Sequence, residues 1–499
     1  MSAPYTTQLL NTPSVHSKTV IHRIYSTWSY VTEGLVNVTW RPLSRVARDN
    51  ILSLLQRIEV GQLKIITPQQ TWTFGCPCEQ GLEATLHVKS DAFWKRVAFF
   101  TDLGLAEAYM NGDVDCDDMS SLLKILILNR GRFGNVTGLT NALSYICGIL
   151  TLSSFDGDLS NSRANISSHY DLGNTMYVGV VSPCMTGGRA DFDLHPPSRF
   201  SAFLSEDMNY SSAIFKDYNE DLKPDGKVIE SLEDAQMRKM RTILKKVRIR
   251  PGDRVLEIVG TGWGSLAILA ASTVECTIDT VTLSVHQANM ARKRIEEAGL
   301  SDRVKVYNMD FRECMNKPEW KGAFDRFISI EMIENVGKDY QDDFWRVADW
   351  ALKKDTAIGF VQVISLPEAR VRQYDQNADF VQKWVIFPGC YIPSLHFIID
   401  SMYKGSEGRL TVDSVYNIGP HYARTLREWK RKFCANWEPV IAKALKHEYD
   451  LCPEELEVFR RKWMCDDYCE VGFATRTLGD HCITFTRDGH IDFGCDLEI

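Results

Sequence analysis

Three glycines, Gly260, Gly262 and Gly264, lie close together in the segment EIVGTGWGSL, between a short apolar run and a run with helical periodicity. Because glycine has no Cβ, it allows a tight turn and lets a ligand lie against main-chain N–H groups. In parallel α/β sheets, ligands bind at such a turn, where the carboxyl end of a strand leads into a helix. The segment is therefore a candidate cofactor loop. The alternative is a glycine turn that only packs the helix on the strand.

The glycine spacing and two downstream segments favour one cofactor. GxGxG, rather than GxGxxG, is typical of S-adenosyl-L-methionine methyltransferases and not of dinucleotide-binding or Walker folds. After the second strand of the pattern, Leu283 and Gln287 lie where a ribose is expected, and glutamine can hydrogen-bond to its hydroxyls. After the third strand, Asp310 and the ring of Phe311 are candidates for adenine contact. An ordinary strand end with one core phenylalanine is the alternative there.

The elements that must position these residues follow a regular order. From about residue 228, strand-like and helix-like runs alternate, which predicts βαβ units and a Rossmann-like, doubly wound, mainly parallel sheet. Before them, residues 41–150 predict a smaller mixed α/β domain, preceded by an extension over residues 1–40. We assign the catalytic domain to residues 160–499, with an inserted loop at 178–199 that is rich in glycine and proline.

Composition excludes several function classes. The net charge of -8, from 57 Lys+Arg against 65 Asp+Glu, argues against a protein that binds nucleic acid through its phosphates. The 14 cysteines are scattered and show no zinc-ligand spacing, which is typical of free thiols in a reducing compartment. No run approaches the roughly 20 apolar residues of a membrane span. We therefore expect a cytoplasmic protein, with peripheral contact at a membrane surface as an option.

Eight segments resemble, in order and spacing, the cyclopropane-fatty-acyl-phospholipid synthase family. They are SSHYDLGNTMY, LSEDMNYSSAIF, EIVGTGWGSLA, VTLSVHQ, FISIEMIENVGKDY, FVQVISLPE, WVIFPGCYIPS and HYARTLREW. The resemblance covers nearly everything from Ser168 onward. More weakly, the preceding domain is similar to that family's N-terminal lipid-associated domain.

The resemblance implies a class I S-adenosylmethionine methyltransferase fold and a reaction at a carbon–carbon double bond. An unsaturated acyl chain of a phospholipid receives a methyl or methylene group, which gives a cyclopropane or methyl-branched chain. The double bond attacks the methyl group, a carbocation forms, and a bound bicarbonate removes a proton. Such a cation requires a dry pocket with aromatic faces. Bicarbonate is thus a second implied cofactor, and an unsaturated lipid is the implied partner.

The resemblance also implies roles for individual residues. Glu334 is expected to orient the bicarbonate, Tyr422 to donate its phenol and Ile364 to supply its backbone. Ser212 and Gln362 occupy two further catalytic positions. The implied cofactor-binding residues are Tyr210, Ser211, Gly260, Gly262, Gly264, Leu283, Gln287, Phe311 and Ile330, while His169 and Tyr170 are expected near a closing lid.

Four departures from the family pattern bear on activity. Ser212 replaces a cysteine, Gln362 a histidine, and Asn335 a histidine or alanine. Serine still offers a backbone N–H and glutamine still donates a hydrogen bond, but losing a histidine weakens an anion site and favours methyl transfer over ring closure. The fourth departure is the extra Val259, which points Glu257 to the opposite face unless a bulge at residue 258 or 259 absorbs it.

The sequence leaves three alternative functions open. The scaffold could methylate carbon in a soluble secondary metabolite, or the chain could be a catalytically silent lipid-binding paralogue. Sphingolipid methyltransferases share these motifs, although they usually carry membrane spans ahead of the domain. Family members often form dimers, so a homodimer is one expected state. The residues do not specify the double bond, the head group or the choice between ring and branch.

Overall fold

The computed structural model describes residues 41–77, 81–133, 202–224, 229–258, 262–376, 390–449, 451–465 and 467–494. The chain divides into two compact units. The first comprises Met1–Asp156, Ala369–Pro388 and Leu451–Thr475, and the second comprises Gly157–Glu368, Gly389–Asp450 and Arg476–Ile499. Several predictions concern residues outside the described ranges, namely the extension, the 178–199 loop, His169, Tyr170, Val259 and Gly260. Within the described ranges, no helix is both long enough and apolar enough to cross a bilayer.

The first unit has a four-stranded sheet in the order β2-β1-β3-β4. Its strands are β1 (Gln62–Ile66), β2 (Thr71–Gly75), β3 (Glu83–Val88) and β4 (Val114–Cys116). Its helices are α1 (Arg41–Leu55), α2 (Ala92–Met110), α3 (Met119–Phe133), α12 (Pro453–Met464) and α13 (Asp467–Ala474). Side chains alternate along β1 and β3, so Leu63, Ile65 and Leu86 point into one core with apolar residues of α1, α2 and α3.

Two helices from late in the sequence belong to this first unit. In α12, the Arg461 guanidinium donates to the carbonyl of Tyr109 at 3.0 Å and pairs with Asp115 at 2.8 Å. From α3, the Ser120 hydroxyl donates to Glu470 of α13 at 2.7 Å. The sequence-based boundaries had placed these helices in the catalytic domain. Since residues 134–201 lie outside the described ranges, the predicted boundary near residue 150 and the predicted lipid association stay predictions.

The second unit is built on a seven-stranded sheet in the order β10-β11-β9-β8-β5-β6-β7. Its strands are β5 (Arg254–Ile258), β6 (Thr277–Thr282), β7 (Val304–Asn308), β8 (Arg326–Ile330), β9 (Ile358–Ser365), β10 (Leu410–Asn417) and β11 (Gly479–Arg487). Strands β5 to β9 are parallel, and β11 runs antiparallel to both β9 and β10. The predicted α/β fold with a mainly parallel sheet is confirmed.

Helices cover both faces of this sheet, as the nearly continuous apolar character of its central strands requires. The helices of the second unit are α4 (Leu232–Lys246), α5 (Ser265–Thr273), α6 (Val285–Glu297), α7 (Gln341–Ala351), α9 (Leu395–Ser406), α10 (Gly419–Asn436) and α11 (Ala442–Tyr449). Apart from its first residue, α8 (Glu368–Gln376) belongs to the first unit. Apolar residues of α4, α5 and α6 form one core, and those of α7 and α9 form the other. Three polar side chains, Glu257 of β5, Glu331 directly after β8 and Gln362 of β9, lie in or beyond the carboxyl-terminal halves of these strands.

Candidate active site

The glycine-rich turn at the end of β5 serves two purposes. Gly262 (φ +45°) and Gly264 (φ +90°) have left-handed backbones, which glycine adopts at no steric cost. A Cβ at Gly264 would lie 3.3 Å from the Cβ of Ala291, so this glycine lets α5 pack against α6. A Cβ at Gly262 would meet nothing within 4 Å, so the main chain there faces open space. Gly264 thus fits the packing alternative, whereas Gly262 leaves room for a ligand.

The position of Glu257 bears on the prediction that a bulge absorbs the extra residue Val259. Glu257 is buried in β5, opposite Thr280 of β6, and its carboxylate accepts a hydrogen bond from the Thr280 hydroxyl at 2.7 Å. Ile258 continues the regular register and pairs with Val281. The strand is therefore regular through Ile258, and the bulge predicted at residue 258 or 259 is not found at residue 258. Val259 lies outside the described residues.

The predicted ribose residues lie at the start of α6. The Ser284 hydroxyl caps this helix by accepting from the Gln287 main-chain N–H at 3.2 Å. The Gln287 side-chain oxygen accepts from the Thr282 hydroxyl at 2.8 Å. This bond orients the amide so that its NH₂ group is the part available to a ligand. Leu283 is half-buried beside it.

Two other predicted cofactor residues lie in the apolar core. The Phe311 side chain is buried and packs edge-on against Phe344, with ring centroids 5.9 Å apart. Ile330 is buried at the end of β8. The neighbouring Asp310 carboxylate accepts two hydrogen bonds from the Arg312 guanidinium, at 2.8 and 2.9 Å. Phe311 therefore matches the core-phenylalanine alternative.

The centre of the site is Glu331, a residue that the sequence analysis did not single out. Its Oε1 accepts from the Ser212 main-chain N–H at 2.8 Å and from the Gln362 side-chain amide at 2.7 Å. Its Oε2 accepts from the Tyr422 hydroxyl at 2.8 Å. The residue as a whole is only half-buried, but its carboxylate is enclosed by these donors. Three of the predicted catalytic residues thus converge on one carboxylate.

Each of these donors comes from a different element. Ser212 precedes α4, Gln362 lies on β9 next to the end of β8, and Tyr422 lies in the first turn of α10. Since Ser212 uses its main chain, its departure from the family's cysteine does not remove this bond. Gln362 supplies the hydrogen bond that a histidine would otherwise donate. Both departures are therefore compatible with a working anion site.

Two further acidic groups surround Glu331. The Glu334 carboxylate is buried and accepts from the Ile364 main-chain N–H. Burial, reinforced by the nearby Glu331, raises the pKa of Glu334 to about 8. Asp480 of β11 accepts from the second N–H of the Gln362 amide at 2.9 Å. Burial and Glu331 raise the pKa of Asp480 well above its usual value. Glu334 is accordingly mostly protonated at neutral pH, and the pKa of Asp480 is shifted in the same direction.

A single buried lysine balances this acidic cluster. Lys239 of α4 is completely buried, and its ammonium donates to the Ser211 hydroxyl at 2.6 Å and to the Asn209 side chain at 3.3 Å. Burial lowers the pKa of Lys239, while Glu331 and Asp480 oppose this effect. Burial raises the pKa of Glu331 to about 7, against the lowering effects of its hydrogen bonds and of Lys239. Glu331 can therefore gain or lose a proton near neutral pH.

Aromatic rings gather beside the carboxylate. The rings of Tyr210 and Trp429 stack, with centroids 5.2 Å apart and planes inclined by 25°. The Tyr422 ring stands edge-on to Trp429 at 6.2 Å, and Phe203 approaches both Tyr210 and Trp429. Aromatic faces attract cations through their quadrupoles. This aromatic cluster therefore suits a positively charged group or a developing carbocation.

Sequence reasoning found part of this arrangement and missed the rest. Glu331 lies in the quoted segment FISIEMIENVGKDY, only three residues before Glu334, but its left-handed backbone leaves no mark in the sequence. Lys239 looks like a surface lysine because it follows Arg238 in a helix with many charges. The spacing of residues in the sequence did not indicate that Asp480 or Trp429 belongs to the site. The proximity of the two glutamates in one loop was the one usable clue.

Comparison with known proteins shows to which family this chain belongs. The family model described as mycolic acid cyclopropane synthetase matches residues 187–455, more than half of the 499 residues. The chain is 30% identical over 407 residues to the tuberculostearic acid methyltransferase of Mycobacterium tuberculosis, covering 80% of this chain and 82% of that protein. It is also 30% identical over 362 residues to the cyclopropane-fatty-acyl-phospholipid synthase of Escherichia coli, covering 72% and 78% of the two chains.

A solved structure shows the same fold. The cyclopropane synthase structure from Mycobacterium tuberculosis matches with a TM-score of 0.50 at 23% identity, covering 66% of this chain and 99% of that one. At this identity the likeness supports the fold alone, whereas the family model and the two relatives carry the assignment. The chain therefore belongs to the mycolic acid cyclopropane synthetase family of S-adenosylmethionine-dependent methyltransferases.

Proposed function

We propose that this protein transfers a one-carbon group to a carbon–carbon double bond in the acyl chain of an unsaturated phospholipid, giving a cyclopropane or methyl-branched chain. The observation that carries this proposal is the Glu331 carboxylate, held by Ser212, Gln362 and Tyr422 next to the aromatic cluster. Addition of a methyl group to an alkene generates a carbocation. A cation-stabilising surface beside a proton acceptor is what such a reaction requires.

The cofactor loop fits S-adenosylmethionine, which when bound supplies an electrophilic methyl group. The open main chain at Gly262 and the oriented Gln287 amide would contact it. We keep Tyr210 and Ser211 in this role because they lie in the segment that leads to Ser212 and Glu331. The Ser211 hydroxyl is held by Lys239, so this segment has a fixed position. Gly260, Leu283 and Ile330 complete the proposed set, whereas Gly264 and Phe311 fit the packing alternatives better.

A groove in the second unit offers a place for the lipid. Its volume is about 920 Å³, and it reaches Gln362 and Lys239. Its lining combines apolar side chains, such as Met237, Phe360 and Ile418, with basic ones, among them Arg241 and Lys245 of α4. Three acidic side chains also line it, Glu220, Glu230 and Asp234. Apolar walls suit an acyl chain, and basic residues suit a phosphate. The two relatives carry names that refer to fatty acyl chains, in agreement with this substrate class.

The basic side of the groove gives a first prediction. Arg241→Gln and Lys245→Gln are each expected to raise the half-saturating concentration of anionic lipid vesicles roughly fivefold, since a basic residue near a membrane surface contributes about 1 kcal/mol. Turnover at saturating lipid should stay unchanged, because neither side chain touches Glu331. Steady-state assays with phosphatidylglycerol vesicles measure both quantities. Arg292→Gln on α6 is the matched control, and an equal effect there would contradict a specific role for the groove.

The reaction itself is tested with deuterium. We expect purified protein, vesicles of dioleoyl phosphatidylglycerol and S-adenosylmethionine carrying a CD₃ group to give a modified acyl chain that keeps two of the three deuterium atoms. Loss of one deuterium reports that the proton leaves from the transferred methyl carbon, as in ring closure or formation of a methylene group. Mass spectrometry of the fatty acid methyl esters measures this retention. No product from protein that binds the cofactor would refute the proposed function.

A second candidate function is C-methylation of a soluble secondary metabolite on the same scaffold. The apolar part of the groove favours the lipid over this alternative. The catalytically silent alternative was based partly on Ser212 and Gln362, and both residues donate to Glu331 in this site. Calorimetric titration with S-adenosylmethionine separates a silent protein with a broken cofactor loop from an enzyme, because the former binds no cofactor.

A further inference from the structure

We propose that Glu331 is the catalytic base of this enzyme and takes the place of the bicarbonate ion implied by the resemblance. This inference rests on the proposed function. It assigns a catalytic residue that lies outside the predicted set. It also removes a requirement for a second cofactor.

The hydrogen-bond donors around Glu331 are the main support for this assignment. The resemblance implied that bicarbonate is held by groups at Ser212, Gln362, Tyr422, Ile364 and Glu334. In this structure the first three donate to the two oxygens of Glu331. The Ile364 N–H donates to Glu334 instead. The donors expected to hold a small planar anion are thus occupied by side-chain carboxylates, and bicarbonate does not fit.

The charges around Glu331 also argue against a bound bicarbonate ion. Glu331 and Glu334 already interact closely enough for Glu331 to raise the proton affinity of its neighbour. Within the described site, Lys239 is the cationic side chain that lowers the pKa of Glu331. A bound bicarbonate would add a second negative charge beside ionised Glu331, whose charge the Lys239 ammonium balances. Such uncompensated burial of charge is strongly unfavourable.

The backbone at Glu331 is an independent observation. Its φ is +46°, in the left-handed region, and its main-chain N–H donates to the Gln362 carbonyl at 2.7 Å. A residue with a Cβ is strained in this conformation relative to the right-handed form, and glycine avoids that strain. A glutamate is therefore held where the backbone favours glycine. Such strain is characteristic of functional sites.

The proton transfer balances without another reactant. After the new carbon–carbon bond forms, the substrate carries a positive charge and the transferred methyl group carries three hydrogens. Oε2 of Glu331, which accepts one hydrogen bond in the described site, takes one of these protons. The electron pair of that C–H bond closes the second carbon–carbon bond of a cyclopropane. After a hydride shift along the chain it forms the double bond of a methylene group instead. The carbocation and carboxylate become a neutral lipid and a carboxylic acid.

Bicarbonate depletion tests the proposal directly. In carbonate-free buffer sparged with argon, we expect the wild-type enzyme to keep its turnover within twofold of the value with added bicarbonate. Glu331→Gln keeps the shape of the side chain but lacks the base, so turnover should fall by about 10²–10⁴ with or without bicarbonate. Glu331→Gly opens a pocket lined by the same three donors, and added bicarbonate should restore part of its turnover.

Glu407 provides a matched control. It also has a left-handed backbone, with φ +53°, but it is exposed at the end of α9. Glu407→Gly should relieve similar strain and leave turnover unchanged. Wild-type turnover that stops without bicarbonate, or Glu331→Gln turnover within tenfold of wild type, would overturn the assignment of the base. Wild-type protein that binds S-adenosylmethionine but gives no product under either condition would refute the proposed function instead.

Discussion

Replacing Lys239 by methionine is expected to move the acidic limb of the pH–rate profile upward from about pH 7 by roughly 1–2 pH units, which lowers kcat/KM at pH 7 about 5–50-fold. The reason is that Lys239 is the buried cation that favours ionised Glu331. Without it, Glu331 holds its proton more tightly. Because a general base must be deprotonated to act, activity then appears only at higher pH. The profile of kcat/KM against pH measures this shift.

The other groups facing Glu331 do not supply a replacement charge. Tyr422 of α10 donates to Glu331, and its own pKa is raised well above the usual value by burial and by Glu331. Glu334 and Asp480 are acidic, so neither can supply a positive charge. Lys239 is thus a positioning residue that acts through Glu331. A purely structural role would lower turnover equally across the pH range.

Measurements of unfolding free energy further distinguish a role of Lys239 through Glu331 from a purely structural role. At pH 8.5, where Glu331 is ionised in the wild type, Lys239→Met should lower the free energy of unfolding by about 3–5 kcal/mol, the cost of removing one partner from buried opposite charges. At pH 6 the loss should be smaller, because the carboxylates are protonated. Urea unfolding at both pH values measures the difference. Lys293→Met on the exposed face of α6 is the control, and an acidic limb unchanged by Lys239→Met would contradict the assignment.

The second large effect concerns Glu334 and the pH dependence of stability. In the folded protein the pKa of Glu334 is raised to about 8, against an ordinary value of 4.5. A carboxyl group with a raised pKa binds more protons when folded than when unfolded. Its contribution to stability is therefore fully present below the ordinary pKa and is lost as pH rises toward 8. Within this window the expected loss is about 1.4 kcal/mol per pH unit for this group.

Glu334→Gln should flatten that part of the stability curve. The glutamine resembles the protonated acid and cannot ionise, so the variant should exceed the wild type in stability by a margin that grows from pH 5 to pH 8. Its side-chain oxygen can still accept from the Ile364 N–H. Urea unfolding at half-unit pH intervals provides the comparison. Stability curves that stay parallel would show that Glu334 is not protonated in the folded state near neutral pH.

The sheet and much of the site could be predicted from the sequence because their signals are local. Alternating strands and helices predicted the parallel sheet, and the GxGxG spacing located the turn at Gly262 and Gly264. Gln362 and Tyr422 were identified through a resemblance, and they do come together. Gln362 lies on β9 and Tyr422 in α10, so the fold brings them together although they are far apart in the sequence.

The remaining features depend on tertiary context. A lysine in a helix is usually exposed, so only the folded structure shows that Lys239 is buried against Ser211. Helices α12 and α13 return to the first unit through contacts such as Arg461 with Asp115, for which residue patterns give no sign. The function of Glu331 depends on a left-handed main-chain angle. Such an angle can be read from the sequence only when glycine marks it.

The left-handed backbone at Glu331 has an evolutionary consequence. Glutamate codons GAA and GAG differ from glycine codons GGA and GGG in a single base. Because glycine fits this backbone without strain, one nucleotide change would exchange an enzyme that carries its own base for one that must draw it from dissolved carbon dioxide. Lipid modification by the first kind would be independent of the cell's carbonate supply, whereas modification by the second would follow it. One codon would then decide whether this enzyme's output is coupled to respiration and acid–base balance.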